Sequence, residues 1–561
     1  VEEFDYVVIG SGSSGAIVAA RLSEDPSSSV LLLEAGPANR SLILHVPAAA
    51  RYAFKARKFN WNYETEPEPH LNGRRLSQPR GKVLGGSSSI NGLVYLRGHG
   101  LDYDTWEEAG AAGWNYARLL PYFRKLEKRT GDGGFYQGEE GPVRVSEPNP
   151  VNPIAAAFLE AGRQAGYAQT SDVNGFRQEG FGRFPMNASN GYRWSTARAY
   201  LTEARSRNNL RIWTGSAAEG IGINGGRAET VAVRKRNGRT IVGARREIIV
   251  SAGPFNSPKL LMLSGIGPAS ELRAHGIKVV RDVPGVGENL QDHTLSSIQM
   301  ECAEPVSLAS ELGPLRKARA ALRWIFFRDG LLASNHFECG AFVRSAPGVR
   351  FPDIQFYLFP VAVAEGSNEF WTSQGFQVQI SPQRSPSRGR VRLRSGDPGA
   401  PPRISLNLMG HPTDWDIMRT SFRLAREVLA QPAMDRFRGR ELSPGPEIVS
   451  DADLDSFVRD NVQSSYHASG TCRMGADDMS VVDPECRVHG IEGLRVADSS
   501  IMPETPSCNI NAPSMMIGER AADLIRQKSL PASNSGWYVD DGWKERQRPG
   551  APVRRMDTTG S

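Results

Sequence analysis

"FDYVVIGSGSSGAIVAARLSEDPSSSVLLLEAG", Phe4 to Gly36, decides the fold. "YVVIG" reads as a buried parallel strand, "SGAIVAARLSE" as a helix and "SVLLLEAG" as a second strand. Gly10, Gly12 and Gly15 stand in the GxGxxG spacing at the first strand–helix junction. Gly10 makes the tight turn, Gly12 lets a pyrophosphate approach the backbone, and Gly15 lets the helix pack on the strand. The helix start, with Ser13 and Ser14, favours phosphate charge. Glu34, followed by Ala35, ends the second strand about twenty residues on, placed to accept hydrogen bonds from ribose hydroxyls. A lone glycine motif is weak evidence. Here strand, helix, second strand and acid agree on a dinucleotide site.

Three further segments return to the same theme. "RGKVLGGSSSINGLVYLRG" (Arg80–Gly98) reads as a second glycine-rich loop laid over a cofactor, with a plain surface loop as the other reading. "EIIVSAGPFNSPKLLMLSGIG" (Glu247–Gly267) is strand, small-residue turn, helix, and suggests another sheet edge reaching the cofactor. "GLRVADSSIMPETPSCNINAPSMMIGERAADLI" (Gly493–Ile525) gives a strand, a loop with Asp498, and a closing helix. Between these segments, "DIQFYLFPVAV", "FQVQISPQRSPSRGRVRLRS" and "RISLNLM" alternate like antiparallel strands, ahead of a helical "WDIMRTSFRLAREVLAQPAM". The expected fold is α/β: a discontinuous Rossmann-like domain (1–150, 190–300 and 455–530) with an inserted α+β substrate domain on an antiparallel sheet (151–189 and 301–454). Residues 531–561 form a C-terminal tail.

Composition narrows the class. At 561 residues the chain exceeds one ordinary core. A net charge of +6 over that length is no argument for nucleic acid. The bunched basic residues lie in the tail, Trp543 to Met556, read as solvated and mobile, with weak attraction to an anionic membrane as the sharper alternative. Five scattered cysteines and no CxxC support neither a disulfide framework nor zinc, and nine scattered histidines support no metal site. A reducing, cytoplasmic location is expected, peripheral to the inner membrane if the tail binds lipid. No run of 18 apolar residues occurs, so no transmembrane helix is expected, and the opening "VEEFDYVVIG", read directly as a strand, gives no expectation of a signal sequence within these residues.

"SSYHASGTCRMG" (Ser464–Gly475) is harder. By itself it leaves His467 as a base, a metal ligand with Cys472, or a core histidine. The whole chain, however, resembles the glucose–methanol–choline flavoprotein oxidoreductases, from the fingerprint at Tyr6–Gly36 to "NAPSMMIGERAADLI". Within that family "NWNYETEPEPHLNGRRLSQPRGKVLGGSSSINGLVYLRG", "PGVGENLQDH", "ASNHFECGAFVRS", "SPSRGRVRLRS" and "SYHASGTCRMG" are similar to bacterial choline dehydrogenases.

The resemblance implies FAD as cofactor, which GxGxxG alone does not specify. It adds to the fingerprint residues Arg80, Val83, Gly86, Ser87, Asn91, Gly92, Leu93 and Val94 from the second loop, Ala252 and Gly253 from the third segment, and Asp498, Ala512 and Pro513 from the last. It implies oxidation of a primary alcohol to its aldehyde, with His467 and Asn511 as the catalytic pair, Asn509 being the alternative if the register is off. A neutral imidazole accepts the hydroxyl proton and an amide fixes the oxygen. Cys472 and Arg473 are then structural. Where relatives carry a histidine bonded to the flavin, this chain has Ile90, so non-covalent FAD is expected, and His99 is not assigned to it. Glu338 matches the position that faces a trimethylammonium group in choline-oxidising relatives, with Trp61, Trp324 and Tyr466 as candidate aromatic walls. The segment Phe359–Trp371 departs from that pattern. Choline or a similar cationic alcohol is expected, passing electrons to a quinone or O2. An uncharged aryl or aliphatic alcohol, and a redox-silent lyase, are the alternatives; homo-oligomerisation stays open.

Overall fold

The computed structural model describes residues 1–130, 134–147, 152–363 and 373–555. Strand β1 (Glu2–Ile9), helix α1 (Gly15–Leu22) and strand β2 (Val30–Glu34) form the expected unit. The strands are parallel, with Tyr6 opposite Val30 and Ile9 opposite Leu33. Every residue of β2 is buried, which is why its sequence is an unbroken apolar run: helices cover both faces of a parallel sheet. Gly15 is required, since a Cβ there would lie 2.0 Å from the Gly10 carbonyl oxygen. On its other side α1 meets the last helix, Asn511–Ile525, where a Cβ on Gly518 would sit 2.7 Å from Ser14 O.

The sheet has seven strands. In order they are 210–214, 30–34, 2–9, 238–250, 227–235 and 217–224, with 494–496 pairing beside 248–250. The strand ending in "EIIV" is therefore interior, parallel to β1, and not the sheet edge its sequence suggested. Its first half continues a hairpin meander with 227–235 and its second half feeds the cofactor side.

A second seven-stranded sheet runs antiparallel: 438–443, 294–302, 375–382, 354–359, 339–343 and 180–183, with 463–464 on the end of 294–302. Helix Pro412–Leu429 covers its back. Ile417, Met418, Phe422, Ala425 and Val428 recur at helical spacing and are buried against that sheet. Removing the Phe422 ring alone costs about 3–5 kcal/mol by loss of transfer energy and the cavity left. The stretch "SPSRGRVRLRS" does not join this sheet; Arg390–Arg392 pairs only with Arg403–Ser405.

The C-terminal stretch corrects the solvated-tail reading. Residues 531–555 strap across the body. Asp540 is buried and accepts from Arg344 (2.7 Å), itself buried and also bonded to Glu179 (3.0 Å). A buried guanidinium needs such partners, and the strap supplies one. Arg546, Arg548 and Arg554 are spent on Asp540, Glu427 and Asp435. All five cysteines are buried and free. No helix among the described residues is long and apolar enough to cross a membrane, and no His/Cys/Asp/Glu cluster there suits a metal.

Candidate active site

A continuous cavity of about 1320 Å³ separates the two sheets. On the parallel side it is lined by Gly10, Gly12, Ser13, Ser14, Glu34 and Ala35. Facing them are alternate residues of neighbouring antiparallel strands: Ser297 and Gln299, Tyr357 and Phe359, Gln377 and Gln379. The residues between them, Ile298, Leu358 and Val378, turn into the core, so the strand period of two sorts cavity from core.

The floor fits FAD. Gly10 has φ +97°, and a Cβ there would strike Ser251 O at 2.4 Å. A Cβ on Gly12 would meet nothing within 4 Å, so that face opens on the cavity. Glu34 is buried and accepts from Ser11 Oγ (2.6 Å) and Gly36 N (2.7 Å); burial pushes its carboxyl above the usual range. Arg80, Gly86, Ser87, Asn91, Gly92, Leu93, Val94, Ala252, Gly253 and Asp498 also reach the cavity. Asp498 fixes the third turn by accepting from Gly253 N (2.8 Å) and Ser257 Oγ (2.6 Å). Three expected contacts do not line it. Val83 packs with Leu44, Ala53, Phe59 and Ile90, while Ala512 and Pro513 face inward from the last helix. Ile90 lines the cavity with a side chain that offers no nucleophile to a flavin.

At the other end of the cavity stands His467, in a loop whose backbone is pinned when Asp292 Oδ1 accepts from His467 N (2.7 Å). Its Nε2 lies 3.0 Å from Asn509 Nδ2, and its Nδ1 lies 3.0 Å from His293 Nδ1. Asn509 Oδ1 is engaged by the Tyr357 hydroxyl (3.2 Å), which turns the amide NH₂ toward the imidazole. Nε2 then accepts from the amide N–H, and Nδ1–H donates to His293 Nδ1. Burial, with His293 and Arg80 alongside, holds the His467 imidazole well below the ordinary histidine value. The same burial takes His293 down to about 3 and Asp292 up to about 6. His467 is thus a neutral imidazole on the cavity wall.

The partner of His467 is Asn509, not Asn511. Asn511 begins the last helix, and its Oδ1 accepts from Ser13 Oγ (2.8 Å), turning it to the glycine floor; its buried Nδ2 has no protein partner. Two residues of "CNINAP", two positions apart, therefore turn to different partners, Asn509 to His467 and Asn511 to the glycine floor. His293 and Asp292 were missed by sequence reasoning, although "NLQDH" carried them both; nothing local announced that this loop meets residue 467.

The expected substrate wall changes as well. Glu338 is buried but does not line the cavity; its Oε2 accepts from Asn152 N (3.4 Å), at the start of helix Pro153–Gln164, where the helix dipole suits a carboxylate. Its neighbour Phe337 takes the cavity position, stacked on Phe359 at 4.7 Å. Trp324 lies outside the cavity, its indole donating to Gly191 O (2.7 Å). Trp61 does line it, but its ring is engaged by Tyr63 and by Lys82 Nζ, 4.4 Å from its centroid. Tyr466 lines it beside Phe54. Trp371 lies outside the described residues.

Comparison with known proteins agrees with this layout. The N-terminal part of the GMC oxidoreductase family matches residues 4–295 and its C-terminal part residues 385–518. Proteins named oxygen-dependent choline dehydrogenase from Brucella anthropi and Sinorhizobium medicae are 47% and 49% identical, each over 96% of this chain and 100% and 98% of their own length. Pyridoxine 4-oxidase from Mesorbium loti superposes with a TM-score of 0.86 at 31% identity, over 94% of this chain and all of its own. The chain belongs to the GMC oxidoreductase family and is an FAD-dependent oxidoreductase acting on an alcohol.

Proposed function

We propose that the protein oxidises choline, or a close trimethylammonium alcohol, to its aldehyde, with His467 as the base and FAD held without a covalent bond. The observation that carries the reading is the pairing of His467 Nε2 with the Asn509 amide in a cavity continuous with the glycine floor. An alcohol oxygen that reaches both groups in place of their mutual hydrogen bond gives its proton to Nε2 and accepts from the amide N–H, which stabilises the developing alkoxide. Bound FAD supplies the acceptor for the hydride that leaves the carbinol carbon. His293 fixes the tautomer by taking the Nδ1 proton in hydrogen bond.

Choline is supported by the names of relatives at 47–49% identity, and those names also favour oxygen as the acceptor. The ammonium would rest on the aromatic wall of Phe337, Tyr357, Phe359 and Tyr466 by cation–π attraction. One observation favours an uncharged alcohol instead: Glu338, the expected counter-charge, faces a helix end and not the cavity. Anaerobic addition of choline and of benzyl and alkyl alcohols, followed by flavin absorbance, separates the two. Prompt bleaching by choline alone supports the proposal; bleaching by uncharged alcohols alone overturns it, and no bleaching by any alcohol would leave only acid–base chemistry for His467. Admitting oxygen or a quinone to the reduced enzyme then identifies the acceptor.

A further inference from the structure

Helix Pro314–Phe327, "PLRKARAALRWIFF", borders one end of the cavity, which Lys317 and Ala320 line together with Leu308, Leu312, Leu331 and Leu332 on either side. A surface helix of a soluble protein turns its apolar stripe inward. This one is inverted. Trp324 is its buried anchor, packed edge-on against Tyr192. At 100° per residue, Leu315, Ala318, Leu322, Ile325 and Phe326 share an arc of about 100° on the side away from Trp324. Leu315 is 86% exposed, Leu322 55%, Ile325 47% and Phe326 73%, and Phe327 at the helix end is 74% exposed. An outward apolar stripe of this size on one helix requires an occupant.

Charge decides which. The helix carries Arg316, Lys317, Arg319 and Arg323 and no carboxylate. Arg319, Arg323 and Arg316 follow one another along one border of the stripe. Among the described residues Arg316 and Arg323 form ion pairs with Glu311 and Asp329, just beyond the helix ends, in exposed contacts of little strength. A second copy of the chain joined across this helix would set four cations against four. An anionic lipid surface instead takes the stripe among its acyl chains and the arginines among its headgroups. We propose that helix Pro314–Phe327 docks the protein on an anionic membrane surface and turns this end of the cavity toward the lipid. The inference is independent of which alcohol is oxidised, and it places the contact on this helix and not on the basic C-terminal strap, whose arginines are already paired.

The test is co-sedimentation of the FAD-loaded full chain with vesicles of phosphatidylcholine alone or mixed with phosphatidylglycerol, at low and high salt. Binding to the anionic vesicles, at least about tenfold weaker without phosphatidylglycerol, is expected. Phe326→Asp and Arg319→Glu, both on the exposed face, should each lose it by about tenfold or more while flavin content and melting temperature stay unchanged; Arg554→Glu in the strap should leave it intact. The proposal is overturned if the wild type stays in the supernatant with anionic vesicles, or if Arg554→Glu abolishes binding while the helix variants do not. It is overturned equally if Phe326→Asp dissolves a dimer in sedimentation velocity while neither protein binds lipid.

Discussion

The two walls of the cavity are built by different means. The parallel wall presents backbone: glycine turns at Gly10 and Gly12, with Glu34 bracing the end of its own strand and Asp498 bracing the turn at Gly253 from 245 residues away. The reacting end presents side chains gathered from far apart, His293, His467 and Asn509, whose mutual bonds span 174 and 42 residues. A cofactor common to many chemistries is held mainly by backbone turns, whereas the reaction is assembled from side chains. Substitutions should therefore separate the two: changes at the first wall release cofactor, and changes at the second leave it bound and slow.

The largest effect expected is at His467. His467→Ala should lower the rate of anaerobic flavin reduction by about 10²–10⁴-fold, the usual worth of a positioned base, with FAD content unchanged. The two asparagines sharpen the contrast. Asn509→Ala removes the donor to the alkoxide and should slow reduction roughly 10²-fold in a fully loaded enzyme. Asn511→Ala should reduce retained FAD, read by the flavin-to-protein absorbance ratio, while the loaded fraction turns over within a few-fold of wild type. If the two phenotypes exchange, the walls have been assigned the wrong way round.

A smaller and more diagnostic effect concerns pH. His467 is held below its ordinary value near 6.5, so kcat/KM should stay level as pH falls through 6.5 and drop only at lower pH, where the imidazole takes a proton. His293 is one cause of that depression. His293→Asn removes it, so the His467 value should rise and the acid limb should move to higher pH, with a modest loss of kcat from the unfixed tautomer. An acid limb that does not move in the variant would belong to another group, such as Asp292, whose carboxyl burial pushes up to about 6.

Legibility in the sequence follows the same division. The strand–helix–strand unit from Phe4 to Gly36 was plain because its determinants lie within thirty residues and each glycine has one steric reason. The antiparallel strands "DIQFYLF" and "FQVQISP" are visible by their alternation, but their order is not, since pairing across 294–302, 375–382 and 354–359 is set by contacts the sequence does not display. Asn509 against Asn511 turned on the start of one helix, a boundary that patterning locates only to within a few residues. The strap failed for a related reason: its basic composition reads as solvated until Arg344 and Asp540 are seen to bury each other.

The smallest effect expected is at Glu338, and it tests how the second wall handles charge. If the carboxylate faced a bound trimethylammonium, removing its charge would raise KM for choline at least tenfold with kcat little changed, the signature of lost uniform binding. Its Oε2 instead meets the backbone N–H of Asn152 at a helix start. Neutralisation there forfeits about 0.3–1 kcal/mol of stability through the helix dipole and leaves the cavity wall in place. Glu338→Gln should thus change KM for choline less than threefold, while Phe337→Ala, which strips the stacked ring from the wall, should raise it more. A tenfold rise for Glu338→Gln with an unchanged melting temperature would place the carboxylate's field on the substrate and shift recognition from the aromatic rings to the acid behind them.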